Sequence, residues 1–144
     1  MKKENTASIA RRMATQYWGD VQHQRKLAPG IWMFSTSGHG GIVVDTALRP
    51  ALADPNNTVY YGRNQQWIIY TEQHFAAFEE DCEAVKVEWA YPEISRAIYQ
   101  VWCVDEPFES WMEKRSQNLR RSLEQWNKEW LEEHPTPGWA VQGA

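Results

Sequence analysis

In the centre of the chain, Phe75, Phe78, Cys82, Val85 and Trp89 are spaced 3, 4, 3 and 4 residues apart, the recurrence of one face of an α-helix. With Thr71 as N-cap, this predicts a helix running from Thr71 to about Trp89, ended by Tyr91-Pro92. Pro92 suits the first turn of a further helix carrying Ile94, Ile98, Val101 and Trp102 on one side. Beyond Asp105-Glu106-Pro107, the residues Trp111, Met112, Leu119, Leu123, Trp126 and Trp130 keep a helical stripe to about Glu133. That makes a helix of roughly 27 residues, about 40 Å long.

The first half of the chain reads differently. Ile9, Met13, Tyr17 and Val21 predict an amphipathic helix from Thr6 to about Lys26, closed by Ala28-Pro29-Gly30. Ile31 to Thr36 and Gly41 to Asp45 are β-branched and aromatic, so they read as two strands of a hairpin turned at Ser37-Gly38-His39-Gly40, with positive φ supplied by the glycines. A second hairpin is expected from Thr58–Tyr61 and Gln66–Tyr70 around Gly62-Arg63-Asn64. The expected class is α+β, a small antiparallel sheet of about three or four strands packed by helices, with a long C-terminal helix. At 144 residues the chain fits a single domain, 1–144, with irregular ends at 1–5 and 135–144.

Nine tryptophans are a heavy aromatic load for this length. Trp18, Trp32, Trp67, Trp89 and Trp102 fall where core positions are expected, whereas Trp111, Trp126, Trp130 and Trp139 crowd the C-terminal part. The latter suit the desolvated anchors of an interface, either with another protein or in a homodimer through the long C-terminal helix. Cys82 and Cys103 lie in predicted helices and are expected to be reduced core thiols. There is no apolar leader and no membrane-length apolar run, so the expected location is the cytoplasm. Fifteen Lys and Arg against nineteen Asp and Glu leave a net charge of −4, which disfavours direct binding to nucleic acid.

Three constellations carry candidate chemistry. In the hairpin, Ser35, Thr36, Ser37, Gly38, His39, Gly40 and Gly41 combine hydroxyls, an imidazole and glycines. They suit a nucleophile with its base or an anion nest, against the plainer alternative of a tight turn. The predicted central helix carries Glu72, Glu79, Glu80, Asp81, Glu83 and Glu88 against Lys86 alone. It is either a negative surface for a basic partner or an ordinary solvated face. Histidines, cysteines and carboxylates are plentiful, but no metal-ligand spacing such as H-E-x-x-H or C-x-x-C occurs, so neither metal nor cofactor is expected. The basic run from Lys114 to Arg121 is explained by intrahelical pairs such as Arg120–Glu124.

Phe34-Ser35-Thr36-Ser37-Gly38-His39-Gly40-Gly41, with Phe78-Glu79-Glu80-Asp81-Cys82-Glu83 and Tyr91-Pro92-Glu93 downstream, resembles an uncharacterised family encoded by bacteriophages and plasmids. That family has a Trp-x-x-Ser-Thr-x-x-His-Gly-Gly turn and an acidic Glu-Glu-Asp-Cys-like helix, and the resemblance covers about residues 30–95. It implies a mobile-element setting and a shared site of Ser35, Thr36, His39, Gly40 and Gly41 with Glu79, Glu80 and Asp81. Small acidic proteins of such elements often act stoichiometrically on host defence. By that analogy the leading expectation is a non-enzymatic, anti-CRISPR-like inhibitor. It would bind a basic host protein or ribonucleoprotein through Glu72, Glu79, Glu80, Asp81, Glu83, Trp126 and Trp130. The alternative is a small hydrolase or metal-assisted nuclease with His39 as base, Ser35 or Ser37 as nucleophile and Asp81 orienting the imidazole or holding a metal.

Overall fold

The computed structural model describes residues 6–52, 75–80 and 83–139. The fold is α+β and its chain divides into two compact units, Met1–Glu79 and Glu80–Ala144.

The first unit is a helix on a sheet. Helix α1 (Thr6–Trp18) is followed by strands β1 (His23–Ala28), β2 (Ile31–Ser35), β3 (Gly40–Asp45) and β4 (Phe75–Glu79). The four strands pair antiparallel in the order β1-β2-β3-β4. Ile9, Ala10, Met13, Ala14 and Trp18 of α1 bury against Trp32, Phe34, Val43, Phe75 and Ala77. The alternate residues Ile31, Ile42, Val44, Ala76 and Phe78 are buried too, so the central strands are apolar on both sides. The β2–β3 hairpin is where the sequence places it.

Two other elements differ from expectation. Helix α1 stops at Trp18, eight residues short of Lys26, because Gly19 adopts φ +96° and donates its N–H to the Thr15 carbonyl, a glycine stop. The released residues His23 to Lys26 begin β1, which lies at the edge of the sheet among the described residues and has its polar side chains exposed. Phe75–Glu79 is likewise a strand, not the start of a helix. Register places Ile42 opposite Phe78 and Asp45 opposite Phe75. Strand burial on both faces leaves no polar alternation to read, and the two phenylalanines three apart imitate a helix face. The predicted second hairpin lies outside the described residues.

Gly41 is fixed by packing. A Cβ there would stand 2.3 Å from the Phe78 carbonyl oxygen and 2.6 Å from the Trp18 ring, so the indole of Trp18 lies directly on the β3 backbone.

The second unit is helical: α2 (Val85–Ala90), α3 (Glu93–Val101), α4 (Phe108–Trp126) and α5 (Lys128–Glu133). Helix α2 packs on α3 and α4, and α4 on α3 and α5. Val87, Trp89, Ile94, Ile98, Leu119, Leu123, Trp130 and Leu131 are its buried apolar residues. The expected long helix is interrupted at Asn127, whose φ −140° and ψ 44° leave the helical region. Gly138 comes so close to the Ala90 carbonyl that a Cβ would meet it at 2.4 Å. Here Trp139 sets its ring edge-on against Trp89, centroids 5.3 Å apart, and the Trp89 indole N–H donates to the His134 carbonyl at 2.7 Å.

Candidate functional site

The turn around His39 is closed by Thr36. The Thr36 hydroxyl lies 2.9 Å from both the Trp18 and the His39 carbonyl oxygens, which share its single proton, and it accepts from the His39 N–H at 3.1 Å. The Thr36 N–H also reaches the His39 carbonyl. The turn is thereby tied to the end of α1, and Thr36 and His39 are bonded to one another across it. None of Gly38, Gly40 and Gly41 has positive φ, which corrects the expected glycine geometry. Gly40 and Gly41 belong to the ladder, opposite Ser35 and Phe34, so an anion nest of successive free N–H groups is not formed here.

The imidazole of His39 points outward, 62% exposed, with Nδ1 3.8 Å from the Glu79 carboxylate. The partner of His39 is therefore Glu79, at the end of β4, while Asp81, the expected one, lies outside the described residues with Glu72 and Cys82. An ion pair at that distance and exposure stabilises little. Among the described residues no three His, Cys, Asp or Glu side chains are placed to share a metal ion, and no helix is long and apolar enough to cross a membrane.

The acidic residues do not form one helix face. Glu79 ends a strand, Glu80 is exposed in the turn after it, and Glu83 is ion-paired with Lys86 at 2.5 Å. Glu88 is 2% exposed and accepts from Arg115 Nε at 3.0 Å, from Arg115 Nη2, and from Ser95 Oγ at 2.9 Å. This buried triad links α2, α3 and α4. The sequence placed Glu88 on an exposed acidic face, either partner-binding or solvated, and Arg115 in a run explained by intrahelical pairs; the structure buries Glu88 instead. The signal lay in a carboxylate beside Val87 and Trp89, and no period identifies its partner 27 residues away.

The tryptophans sort differently from expectation. Trp18, Trp32 and Trp89 are buried as anticipated, but Trp102 is 54% exposed. Trp126 is 64% exposed, whereas Trp130, expected beside it at an interface, is buried and stacks on His134 with centroids 4.2 Å apart. The break at Asn127 separates the two by starting a new helix. Cys103, expected in the core, is exposed and free in the turn after α3, at φ +51°.

Neither the curated proteins nor the solved structures include a match to this chain. A family model described as "Domain of unknown function (DUF7007)" matches residues 11–136, spanning strands and helices of both units, and the chain belongs to that family.

Proposed function

We propose that the protein is a non-enzymatic binding factor that engages a basic protein or ribonucleoprotein through the acidic surface of its second unit. One observation carries this reading. Residues 80–144 hold thirteen Asp and Glu against seven Lys and Arg, a net of −6, whereas residues 1–79 hold six against eight, a net of +2. The acidic excess of the chain is thus confined to one unit. Glu80, Glu109, Glu113, Glu124, Glu129, Glu132 and Glu133 are all exposed there. Such a field accelerates encounter with a basic surface and sets its orientation. A counter-defence inhibitor of phage or plasmid origin, acting in the bacterial cytoplasm, is the setting that the Ser35-to-Gly41 resemblance favours.

The alternative, a small hydrolase or nuclease, has the approach of Glu79 to His39 on its side. Against it stands the open setting of His39, whose imidazole is largely exposed to solvent rather than enclosed in a site that excludes water.

Reversing Glu80, Glu109, Glu124 and Glu132 to Lys takes the second unit from −6 to about +2 by count. In quantitative affinity purification from a bacterial host, this variant is expected to lose the basic proteins that wild type retains. An unchanged set of co-purifying proteins would overturn the reading.

A further inference from the structure

The two terminal strands of the sheet in the first unit differ. Strand β4 is buried along Phe75 to Phe78, whereas His23, Gln24, Arg25 and Lys26 of β1 are all exposed. Among the described residues β1 pairs with β2 alone, so the other side of its backbone carries peptide N–H and C=O groups that a further strand could take up. Pairing is regular from His23 opposite Ser35 to Lys26 opposite Trp32, and the register shifts before Ala28. The regular part of the edge therefore runs from His23 to Lys26.

This edge is cationic on both faces. Gln24 and Lys26 stand opposite Phe34 and Trp32, rings that pack against α1, so they share the face that α1 covers. There Arg11 of α1 donates from Nη1 to Gln24 Oε1 at 2.8 Å, which holds a guanidinium beside the strand on a neutral acceptor. His23 and Arg25 stand opposite Ser35 and Met33, on the reverse face. Among the described residues Arg11, Arg25 and Lys26 have no carboxylate partner, and the cationic members of the ion pairs are His39, Lys86, Lys114 and Arg115. From Thr6 to Ala28 there are four Lys and Arg against one carboxylate, Asp20. Like charges directly opposite one another destabilise a strand pair, so β1 is protected from pairing with a copy of itself. The same charges favour a strand of opposite sign.

We propose that β1 is the docking edge for an extended acidic protein segment. The segment adds to the sheet through main-chain hydrogen bonds, with carboxylates reaching Arg25 on one face and Lys26 and Arg11 on the other. Directly opposed residues of paired strands have Cβ atoms about 4.5–5.5 Å apart, within ion-pair reach of side chains this long. A nucleic-acid backbone would match the charges but not the alternating N–H and C=O groups of the edge. The site is separate from the acidic surface of the second unit and does not rest on that reading.

The test uses the full chain and fluorescein-labelled probes read by anisotropy. One is an acidic peptide, Thr-Val-Glu-Glu-Val-Glu-Glu-Val-Thr, which as a strand carries carboxylates on both faces. A second has proline in place of each valine, which keeps the charge but breaks the ladder, and a third is an oligo-dT strand. Wild type is expected to bind the first at least about tenfold more tightly than the others. Arg25→Glu with Lys26→Glu should weaken that binding by about tenfold or more. Arg121→Glu with Lys128→Glu makes the same change of net charge at exposed residues of the second unit and should leave binding within about twofold. Far-UV circular dichroism checks that both variants fold. In wild type itself, hydrogen–deuterium exchange should show added protection of the β1 amides when the acidic peptide is bound. The proposal is overturned if wild type does not bind the acidic peptide, if the proline peptide or the oligo-dT binds as tightly, if the β1 reversal has no larger effect than the reversal in the second unit, or if the β1 amides gain no protection.

Discussion

Arg115 on α4 and Glu88 on α2 meet in a two-pronged contact inside the second unit, with Arg115 Nε 3.0 Å from the carboxylate and Nη2 on its other oxygen. Their geometry couples the core of the unit to its surface, because the guanidinium that neutralises Glu88 also lies over Trp102 and Trp111. A buried charge stripped of its partner is costly, whereas removal of both partners costs much less.

Arg115→Ala is therefore expected to destabilise the protein by about 3 kcal/mol. Arg115→Met combined with Glu88→Gln should lose less than the sum of the single changes. Urea unfolding followed by tryptophan fluorescence measures both. Strict additivity would show that the pair is not coupled.

Gly41→Ala places a methyl group against the Phe78 carbonyl and the Trp18 ring. Relief requires Trp18 or the β3–β4 ladder to move, at a cost of about 1–3 kcal/mol. The same unfolding experiment should show this loss, with Trp18→Leu in the background of Gly41→Ala recovering part of it.

Thr36 and His39 should separate a structural turn from a catalytic one. Thr36→Val removes the hydroxyl that makes three contacts and is expected to cost about 1–2 kcal/mol. His39→Ala, at an exposed position, should change stability by less than about 0.5 kcal/mol and leave partner binding intact. A His39→Ala protein that is stable but biologically inert would favour the hydrolase alternative.

How legible these features were follows from where each side chain points. The β2–β3 hairpin was readable because Ile31–Ser35 and Gly41–Asp45 are apolar runs separated by turn residues. Helices α3 and α4 were readable from their stripes and from the prolines at Pro92 and Pro107, which stand at their N-caps. Strand β4 was hidden because Phe75-Ala76-Ala77-Phe78 is buried on both faces and shows no alternation. Strand β1 was hidden for the opposite reason, since an exposed strand of His, Gln, Arg and Lys has no apolar period. Gly19 could have been recognised as a helix stop. In the candidate surface, the exposure of Trp126 was anticipated and the burial of Trp130 was not, because one asparagine at position 127 redirects the chain. The Glu88–Arg115 pair and the placement of Arg115 over Trp102 depend on contacts between helices, which no local pattern encodes.

Trp126 and Trp130 offer a paired control on that point. Trp130→Ala should cost about 3–5 kcal/mol, while Trp126→Ala, at a largely exposed site, should fall within about 0.5 kcal/mol of wild type. Light scattering of Trp126→Glu should give the same mass as wild type. A halved mass would instead place a homodimer contact on the end of α4.

The central claim is that the second unit binds a basic protein through its acidic surface, without chemistry at His39. Quantitative affinity purification from the bacterial host, run side by side with wild type, His39→Ala and the Glu80, Glu109, Glu124 and Glu132 charge reversal, tests it most directly. The account predicts that His39→Ala retains the same basic proteins as wild type and that the charge reversal loses them. Retention by the charge reversal together with loss in His39→Ala would contradict it.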